Sequence, residues 1–266
     1  MERRARGSDR LIWAWTIFVI LVVYAPIAGG FLASLGKSRY FRFPVAQYSF
    51  EWWQRAIDSL EIAQLFRTSL KMAALVTLVA VVVAFFGALA YARYDWTGRR
   101  LYQKLVLLPI FFPQPVMGLA LLLWFNALGV TLSWQSAVFA HLVWIVPVVT
   151  LVMAIQMYGF DPALEEAAYD LGASRGQVLR EVTLPILWPG IWSGALFAFL
   201  LSWGNFPLSL YTTGPDTAVP EWLYPKMVAG YTPMVPALGS MATIAAAAVL
   251  VVAGLLLRLR RRRAEP

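Results

Sequence analysis

The chain has 266 residues, of which 60% are hydrophobic and only 14% are charged, and its mean hydropathy is +0.66. Since a soluble domain carries about 25% charged residues, this composition excludes an ordinary soluble protein and indicates a membrane protein. At about 20 apolar residues per span, the length accommodates about six transmembrane helices with their loops. Cysteine is absent, which excludes disulfides and thiol chemistry.

The apolar segments predict an all-α membrane protein made of one transmembrane domain over residues 1–266. We expect six spans, at about 11–35, 68–91, 105–128, 134–158, 189–211 and 237–257. The first apolar segment is too long for a signal peptide and is read as a retained helix. A short surface helix is expected around Phe50 to Ser59. The prolines of the third span (Pro109, Pro113 and Pro115) should break or kink it, so this span could line a cavity.

The net charge of +8 is concentrated at the two ends of the chain. This placement favours anchoring to an anionic lipid surface over nucleic-acid binding. With six spans, one side of the membrane holds 15 of the 22 Lys and Arg residues, including both Arg-rich termini. The other side holds only Lys37, Arg39, Arg42, Arg55, Arg67, Lys71 and Lys226. The positive-inside rule therefore predicts that both termini, and the segment around 161–184, are cytoplasmic.

The polar segment between the fourth and fifth spans reads as two short helices that lie along the membrane surface. Asp161 is a good N-cap, and Gly172 is placed to end the first helix. Ser174 and Gln177 form a capping-box pattern for the second helix, which Pro185 is expected to stop. One apolar stripe follows the first helix: Leu164, Ala167, Ala168 and Leu171. A loop that only connects two spans does not require two capped amphipathic helices, so this segment is interpreted as a docking element for a cytoplasmic partner.

The same segment contains Glu166-Ala167-Ala168, then Gly172, then Val182-x-Leu184-Pro185. This spacing resembles the EAA motif of permeases from binding-protein-dependent ABC importers, although Leu179 stands where that family usually has Phe. The likeness extends to Gly98-Arg99, to the proline-rich third span and to His141. It is strongest to the spermidine/putrescine branch. The resemblance implies the six-helix type I importer permease (MetI-like) fold in a bacterial inner membrane.

The resemblance also implies partners and a mechanism. A cytoplasmic ABC ATPase dimer would hydrolyse ATP-Mg and push the two short helices, and rocking of the spans would alternate access. A solute-binding protein would deliver the substrate outside, and a second, different permease subunit would complete the pathway in a heterodimer. This chain itself would bind no cofactor. The residues expected to couple to the ATPase are Glu165, Glu166, Ala167, Ala168, Asp170, Gly172, Ala173, Leu184 and Pro185.

Ser202, Trp203 and Asn205 are polar or amphipathic residues predicted to lie midway through the fifth span. Because polar groups at that depth should face the bundle interior, we expect them to line a translocation path together with Pro113 and Met117. An interhelical hydrogen bond from Asn205 is the alternative. Residues 202–205 contain none of the acidic residues that the spermidine/putrescine branch commonly has hereabouts. This departure counts against a polyamine and leaves a zwitterionic or less cationic solute open. The expected substrate is a small polar solute, such as a polyamine or a related amine or zwitterion.

Other function classes find less support in the sequence. Gly36-Lys37-Ser38 resembles the end of a phosphate-binding loop, but position 31 is Phe31 where that motif requires glycine, so no ATP hydrolysis is expected. His141 is the only histidine, which excludes metal sites built on His pairs. Its role stays open between function and a helix–helix hydrogen bond. No nucleophile–base pattern indicates an enzyme. The alternative of an ion-coupled transporter or channel would require more ionisable residues within the spans.

Overall fold

The computed structural model describes residues 2–38, 44–230 and 232–264, with side chains for 10–38, 44–230 and 232–255. Apart from a β-bridge between Gly36 and Tyr48, the regular structure in these ranges is helical. Arg39 and Arg42, and the side chains of the terminal arginines (Arg3, Arg4, Arg6 and those at 258–263), lie outside what is described.

The α-helices are α1 (Glu2–Ser34), α2 (Glu51–Asp58), α3 (Leu60–Ala92), α4 (Arg99–Leu107), α5 (Gln114–Ala127), α6 (Trp134–Tyr158), α7 (Ala163–Asp170), α8 (Arg175–Gln177), α9 (Leu184–Trp203), α10 (Phe206–Thr212), α11 (Val219–Ala229) and α12 (Met234–Ala264). A 3₁₀ turn (Leu108–Phe111) follows α4, and a π-helical segment (Val178–Thr183) joins α8 to α9.

Within the described residues, five helical segments are long and apolar enough to cross a membrane. They cover Arg10–Ser34, Leu60–Ala92, Trp134–Tyr158, Arg175–Trp203 and Met234–Leu255. A sixth span is obtained if one bent pair, Arg99–Phe111 with Gln114–Ala127, is counted as a single crossing. The predicted short surface helix is present as α2.

The third predicted span is the bent pair. Its two parts meet at 102°. Pro109 lies in the 3₁₀ turn, Pro113 precedes α5, and Pro115 occupies its first turn. Because proline removes a backbone donor and clashes with the preceding turn, it favours helix starts over helix interiors. The predicted break is therefore confirmed, and it divides the region into two differently directed helices.

The helical segment that contains the fifth span begins at Arg175, well before the predicted start of the span at 189. The expectation that Pro185 ends the second short helix is wrong. Leu184 has helical dihedral angles (φ −62°, ψ −46°), and Pro185 lies in the first turn of α9. A proline disfavours helical geometry in the preceding residue without forbidding it. The widened π-helical segment lies directly before this proline, so the second short helix continues into the membrane span.

Helix α11 was missed because its sequence is rich in proline. It begins after a turn that is stabilised by the buried carboxylate of Glu221. Glu221 accepts a hydrogen bond from the Ala218 N–H (2.7 Å) and another from the Thr213 hydroxyl. Burial raises the pKa of Glu221, whereas these two hydrogen bonds act in the opposite direction. The side chain thus satisfies one backbone donor at a helix start, as a capping residue does.

The chain divides into two compact units, residues 1–63 with 223–266 and residues 64–222. In the first unit, α1 packs on α12, and α12 also packs on α2. Trp53 of α2 lies edge-on to Phe31 of α1 with ring centroids 5.8 Å apart, and its indole N–H donates to Ser34 Oγ at 3.0 Å. Trp53 therefore fixes α2 against the end of α1.

In the second unit, α3, α6 and α9 share one apolar core. Small residues allow close approach of α6 and α9. A Cβ atom at Gly190 would lie 2.7 Å from Gln156 Cγ, and one at Gly194 would lie 2.8 Å from Met153 Cε. The Gly190-x-x-x-Gly194 pattern thus serves helix packing inside the bundle, as is common for membrane helices.

Replacement of Gly190 by leucine should lower the stability of the α6–α9 interface by about 1–3 kcal/mol, because the added side chain overlaps Gln156. Gly254→Leu is the matched control, since nothing lies within 4 Å of a Cβ at Gly254. The midpoint of thermal unfolding in detergent, followed by fluorescence-detected size exclusion, distinguishes the two. Equal midpoints for both variants would show that close packing at Gly190 is unimportant.

Candidate functional site

The EAA segment, residues 161–185, starts with helix α7. The N-cap of α7 is Pro162, one residue later than predicted. The Asp161 carboxylate still accepts a hydrogen bond from the Ala163 N–H at 3.0 Å and so satisfies a backbone donor at the helix start. Gly172 has φ +84°, a conformation that favours glycine. The Gly172 N–H donates to Tyr169 O (2.9 Å), and the Ala173 N–H donates to Ala168 O (3.0 Å). These bonds form the glycine-dependent helix end known as the Schellman motif.

The second helix of the EAA segment starts with the predicted capping box. The Ser174 N–H donates to Gln177 Oε1 at 2.8 Å, and the Gln177 N–H donates to Ser174 Oγ at 3.4 Å. The π-helical segment then follows, with Val178 and Thr183 buried. Both ends of the turn between the two helices are therefore fixed by local hydrogen bonds that the sequence pattern specifies.

Most residues expected to contact the ATPase lie on the surface of this chain. Glu166, Ala167, Asp170, Gly172 and Pro185 are exposed, whereas Ala168, Ala173 and Leu184 are half-buried. The predicted apolar stripe is not covered by the chain itself, since Leu164 is 49% exposed and Leu171 is 90% exposed.

Glu165 differs from the other predicted coupling residues because it turns toward the protein. Its Oε1 accepts a hydrogen bond from the Thr183 hydroxyl at 2.5 Å, and its Oε2 lies 3.9 Å from Arg93 Nε. The Arg93 guanidinium also stacks over the Phe160 ring, 4.2 Å from its centroid. Arg93 and Thr183 were not predicted, although Arg93 is recognisable as the first charged residue after the second span.

A cavity of about 540 Å³ adjoins this cluster. Its charged lining residues are Arg93, Glu165, Glu166 and Arg175, and its apolar lining includes Leu89 and Leu179. The space between α7 and the base of the fifth span is therefore not filled by side chains.

The predicted path residues coincide with a break in the fifth transmembrane segment. Helix α9 ends at Trp203, and α10 begins at Phe206. The Asn205 side chain accepts a hydrogen bond from the Leu208 N–H at 3.1 Å and so caps α10. This bond is a local helix cap, so it differs from the interhelical hydrogen bond that the sequence offered as the alternative for Asn205.

His141 of α6 holds both sides of this break. It is fully buried, with Nδ1 2.9 Å from Ser202 Oγ and Nε2 2.9 Å from Ser209 Oγ. Ser202 lies in the last turn of α9, and Ser209 lies in α10. The question that the sequence left open for His141 is thereby answered in favour of helix–helix hydrogen bonding.

Trp203 lies between two other aromatic residues. Its ring stacks on Phe199 with centroids 5.8 Å apart and an interplanar angle of 17°. The Phe66 ring of α3 is tilted against the Trp203 ring, with centroids 5.9 Å apart and an interplanar angle of 52°. Trp203 remains half-exposed, whereas Ser202 and Asn205 are buried. Of the three predicted residues in this segment, Trp203 is therefore the one with accessible surface.

Pro113 and Met117 are placed by the bend before α5 and by α5 itself. Pro113 is exposed at the bend, and Met117 is half-buried. Helix α5 packs closely on α10, because a Cβ at Gly118 would lie 2.8 Å from Tyr211 Cδ2 and 2.9 Å from Pro207 O. The helical turn that contains Met117 thus lies beside the segment that follows the break.

Within the described part of the chain, no group of three or more His, Cys, Asp or Glu side chains could hold a metal ion. The side chains of Asp161, Ser174, Gln177 and Asn205 form hydrogen bonds at helix ends.

Comparison with known proteins identifies the family. Residues 80–265 match the family described as binding-protein-dependent transport system inner membrane component. The chain belongs to this family. It is thus the permease subunit of a binding-protein-dependent ABC importer and a multi-pass protein of the bacterial inner membrane.

Curated relatives of this permease include the spermidine/putrescine transport system permease protein PotC of Haemophilus influenzae. That protein is 28% identical over 246 residues, which cover 92% of this chain and 95% of the relative. PotC of Escherichia coli K12 is 28% identical over 237 residues, which cover 89% of each protein. The predicted likeness to the polyamine branch is confirmed.

Solved structures support the fold. A bacterial ABC transporter that imports the acidic polysaccharide alginate has a chain with a TM-score of 0.74 at 18% identity, over 96% of this permease and 97% of that chain. The MetNI methionine ABC transporter has one with a TM-score of 0.61 at 17% identity, over 75% and 97%. The predicted importer-permease fold is confirmed.

Replacement of His141 by leucine should destabilise the permease by about 1–3 kcal/mol, because it leaves the Ser202 and Ser209 hydroxyls buried without their partner. The triple variant His141→Leu/Ser202→Ala/Ser209→Ala should recover part of this loss, since it removes the unpaired groups as well. Thermal unfolding in detergent measures both effects. A triple variant less stable than His141→Leu would contradict this account of the break.

Proposed function

We propose that this permease imports a polyamine or a related small amine, and that residues 161–185 couple it to a cytoplasmic ATPase. The observation that carries the coupling role is the exposed surface of α7 and its following turn. Two stable helix ends present Glu166, Asp170 and the large apolar side chain of Leu171 to the outside of the chain. A rigid, uncovered element of this kind fits a groove in a partner protein.

The proposed orientation places both termini and the EAA segment in the cytoplasm. The Arg and Lys distribution supports it through the positive-inside rule. In that orientation the ATPase dimer meets the EAA segment, and the substrate arrives on the opposite side from a solute-binding protein. The alginate transporter has been solved in complex with a periplasmic protein that carries an alginate pentasaccharide, which provides a precedent for that arrangement.

A second permease subunit, different from this chain, would complete the translocation pathway. The chain would bind no cofactor itself and would not catalyse a reaction, because ATP-Mg would bind and be hydrolysed in the ATPase subunits. Family membership favours this division of labour over an ion-coupled transporter or channel.

The substrate class is supported by relatives and by side-chain chemistry. The PotC relatives are named for spermidine and putrescine. In this chain, the half-exposed Trp203 ring and its neighbours Phe66 and Phe199 offer aromatic faces that attract organic cations. Residues 202–205 contain no carboxylate, so attraction of a cation at this place would depend on the aromatic faces. Ser202 and Asn205 are already engaged in hydrogen bonds with His141 and with the Leu208 N–H.

Charge reversal by Glu166→Arg, or insertion of a bulky ring by Gly172→Trp, should greatly reduce ATPase association and leave membrane insertion intact. The first changes the charge of the proposed contact surface, and the second disrupts the turn at φ +84°. Affinity purification of the assembled transporter, with the ATPase quantified per permease, measures the effect.

Matched controls for these variants lie outside the EAA segment. Asp58→Arg reverses an exposed charge on α2. Gly129→Trp places the same ring at another glycine with positive φ (+68°) and with nothing within 4 Å of its Cβ. Both controls should retain the ATPase. Normal ATPase recovery with Glu166→Arg and Gly172→Trp would disprove the docking role.

Trp203→Ala should lower the uptake of radiolabelled spermidine by about tenfold, whereas Trp203→Phe should retain most of it, because cation–π contacts contribute about 0.5–2 kcal/mol. Trp124→Ala removes a tryptophan from another aromatic cluster, where Trp124 stacks on Phe139, and serves as the control. Uptake is measured in proteoliposomes that contain the complete transporter and its binding protein. Unchanged uptake by Trp203→Ala would remove Trp203 from the path.

A further inference from the structure

Three residues from separate elements meet at the inner side of α7. Arg93 follows the end of α3, Glu165 belongs to α7, and Thr183 ends the π-helical segment at the base of the fifth span. The Thr183 hydroxyl donates to Glu165 Oε1 at 2.5 Å, and Arg93 Nε lies 3.9 Å from Glu165 Oε2. Each carboxylate oxygen of Glu165 is thus directed at a different element.

Glu165 is poorly suited to contact a partner. The exposed fraction of its side chain is 20%, and that of Arg93 is 11%. Its neighbour Glu166, in contrast, is exposed. Two adjacent acidic residues on one short helix therefore face in different directions, one toward the solvent and one toward the bundle.

We propose that Glu165 is a positioning residue that ties the docking helix α7 to α3 and to the base of α9 through Arg93 and Thr183. This inference rests on the proposed docking of the ATPase to the EAA segment. In this arrangement, Glu166 and the exposed turn contact the ATPase and receive its movement. Glu165 transmits that movement to two membrane spans.

The local structure supports a movable connection. Apart from the turn at 171–174, α7 touches the rest of the chain mainly through the π-helical segment. The adjoining cavity of about 540 Å³ leaves room between α7 and the spans. π-helical segments are rare and frequently occur at functional sites. Without the Glu165 contacts, α7 could shift into the cavity and leave the spans in place.

The test compares association with coupling in the fully assembled transporter. Glu165→Gln removes the charge that faces Arg93, and Thr183→Val removes the hydroxyl with little change in shape. Each variant, their double combination and the conservative Thr183→Ser are reconstituted with the ATPase, the second permease and the binding protein. ATPase recovery per permease, ATP hydrolysis and spermidine uptake are then measured on the same preparations.

We expect Glu165→Gln and Thr183→Val to retain the ATPase and to lose about fivefold or more in uptake per ATP hydrolysed, the scale of typical coupling between sites. Thr183→Ser should behave as the unmodified permease. The double variant should lose no more than the worse single variant, because both changes break the same connection.

Three outcomes would overturn the proposal. Loss of the ATPase from Glu165→Gln, to the extent expected for Glu166→Arg, would make Glu165 a partner contact. Unchanged uptake per ATP in both single variants would make the cluster irrelevant to coupling. Additive losses in the double variant would separate Glu165 from Thr183. If Glu166→Arg also retained its ATPase, the docking role itself would fail, and this result is distinguishable from the other three.

Discussion

A helix in hydrocarbon must satisfy its own backbone hydrogen bonds. Where a helix of this permease is interrupted, side chains and neighbouring helices must supply the missing hydrogen bonds. The fifth span is interrupted at Gly204 and Asn205, where the Asn205 side chain caps the next helix. His141 then joins the two sides of the interruption through Ser202 and Ser209. A break that would be costly in isolation is thereby held in one geometry by the neighbouring span. The half-exposed Trp203 lies at that break, which links helix packing to the proposed path.

The same constraint explains the boundary between the EAA segment and the membrane. Pro185 has no N–H to donate, yet the helix continues through it, and a π-helical segment ends at Thr183, two residues before it. The docking element is consequently continuous with a span on its C-terminal side. Arg93 and Thr183 meet Glu165 at this junction, whereas Glu166 and Leu171 face outward. Neighbouring residues of one short segment thus form both the proposed contact surface for the ATPase and the proposed connection to the spans.

The sequence predicts those features that depend on local chemistry. Apolar length located the spans, and capping residues such as Asp161 and Ser174 located the starts of both short helices, because these signals act within a few residues. The φ +84° of Gly172 likewise follows from a local helix end. The features that the sequence did not predict depend on tertiary context. A π-helical segment in front of a proline has no simple residue signature. The inward direction of Glu165 depends on Arg93, which lies 72 positions earlier in the chain, and the partners of His141 lie on two other helices, α9 and α10.

Site-directed photocrosslinking is the direct test of whether the EAA segment binds the ATPase. Because the chain contains no cysteine, a single Leu171→Cys substitution carries the crosslinker at one defined and 90% exposed position. Leu128→Cys, at an exposed position after α5, is the control for a site away from the EAA segment. In the assembled transporter, we expect a crosslinked permease–ATPase product from position 171 and none from position 128. Absence of that product from position 171, or equal products from both positions, would contradict it.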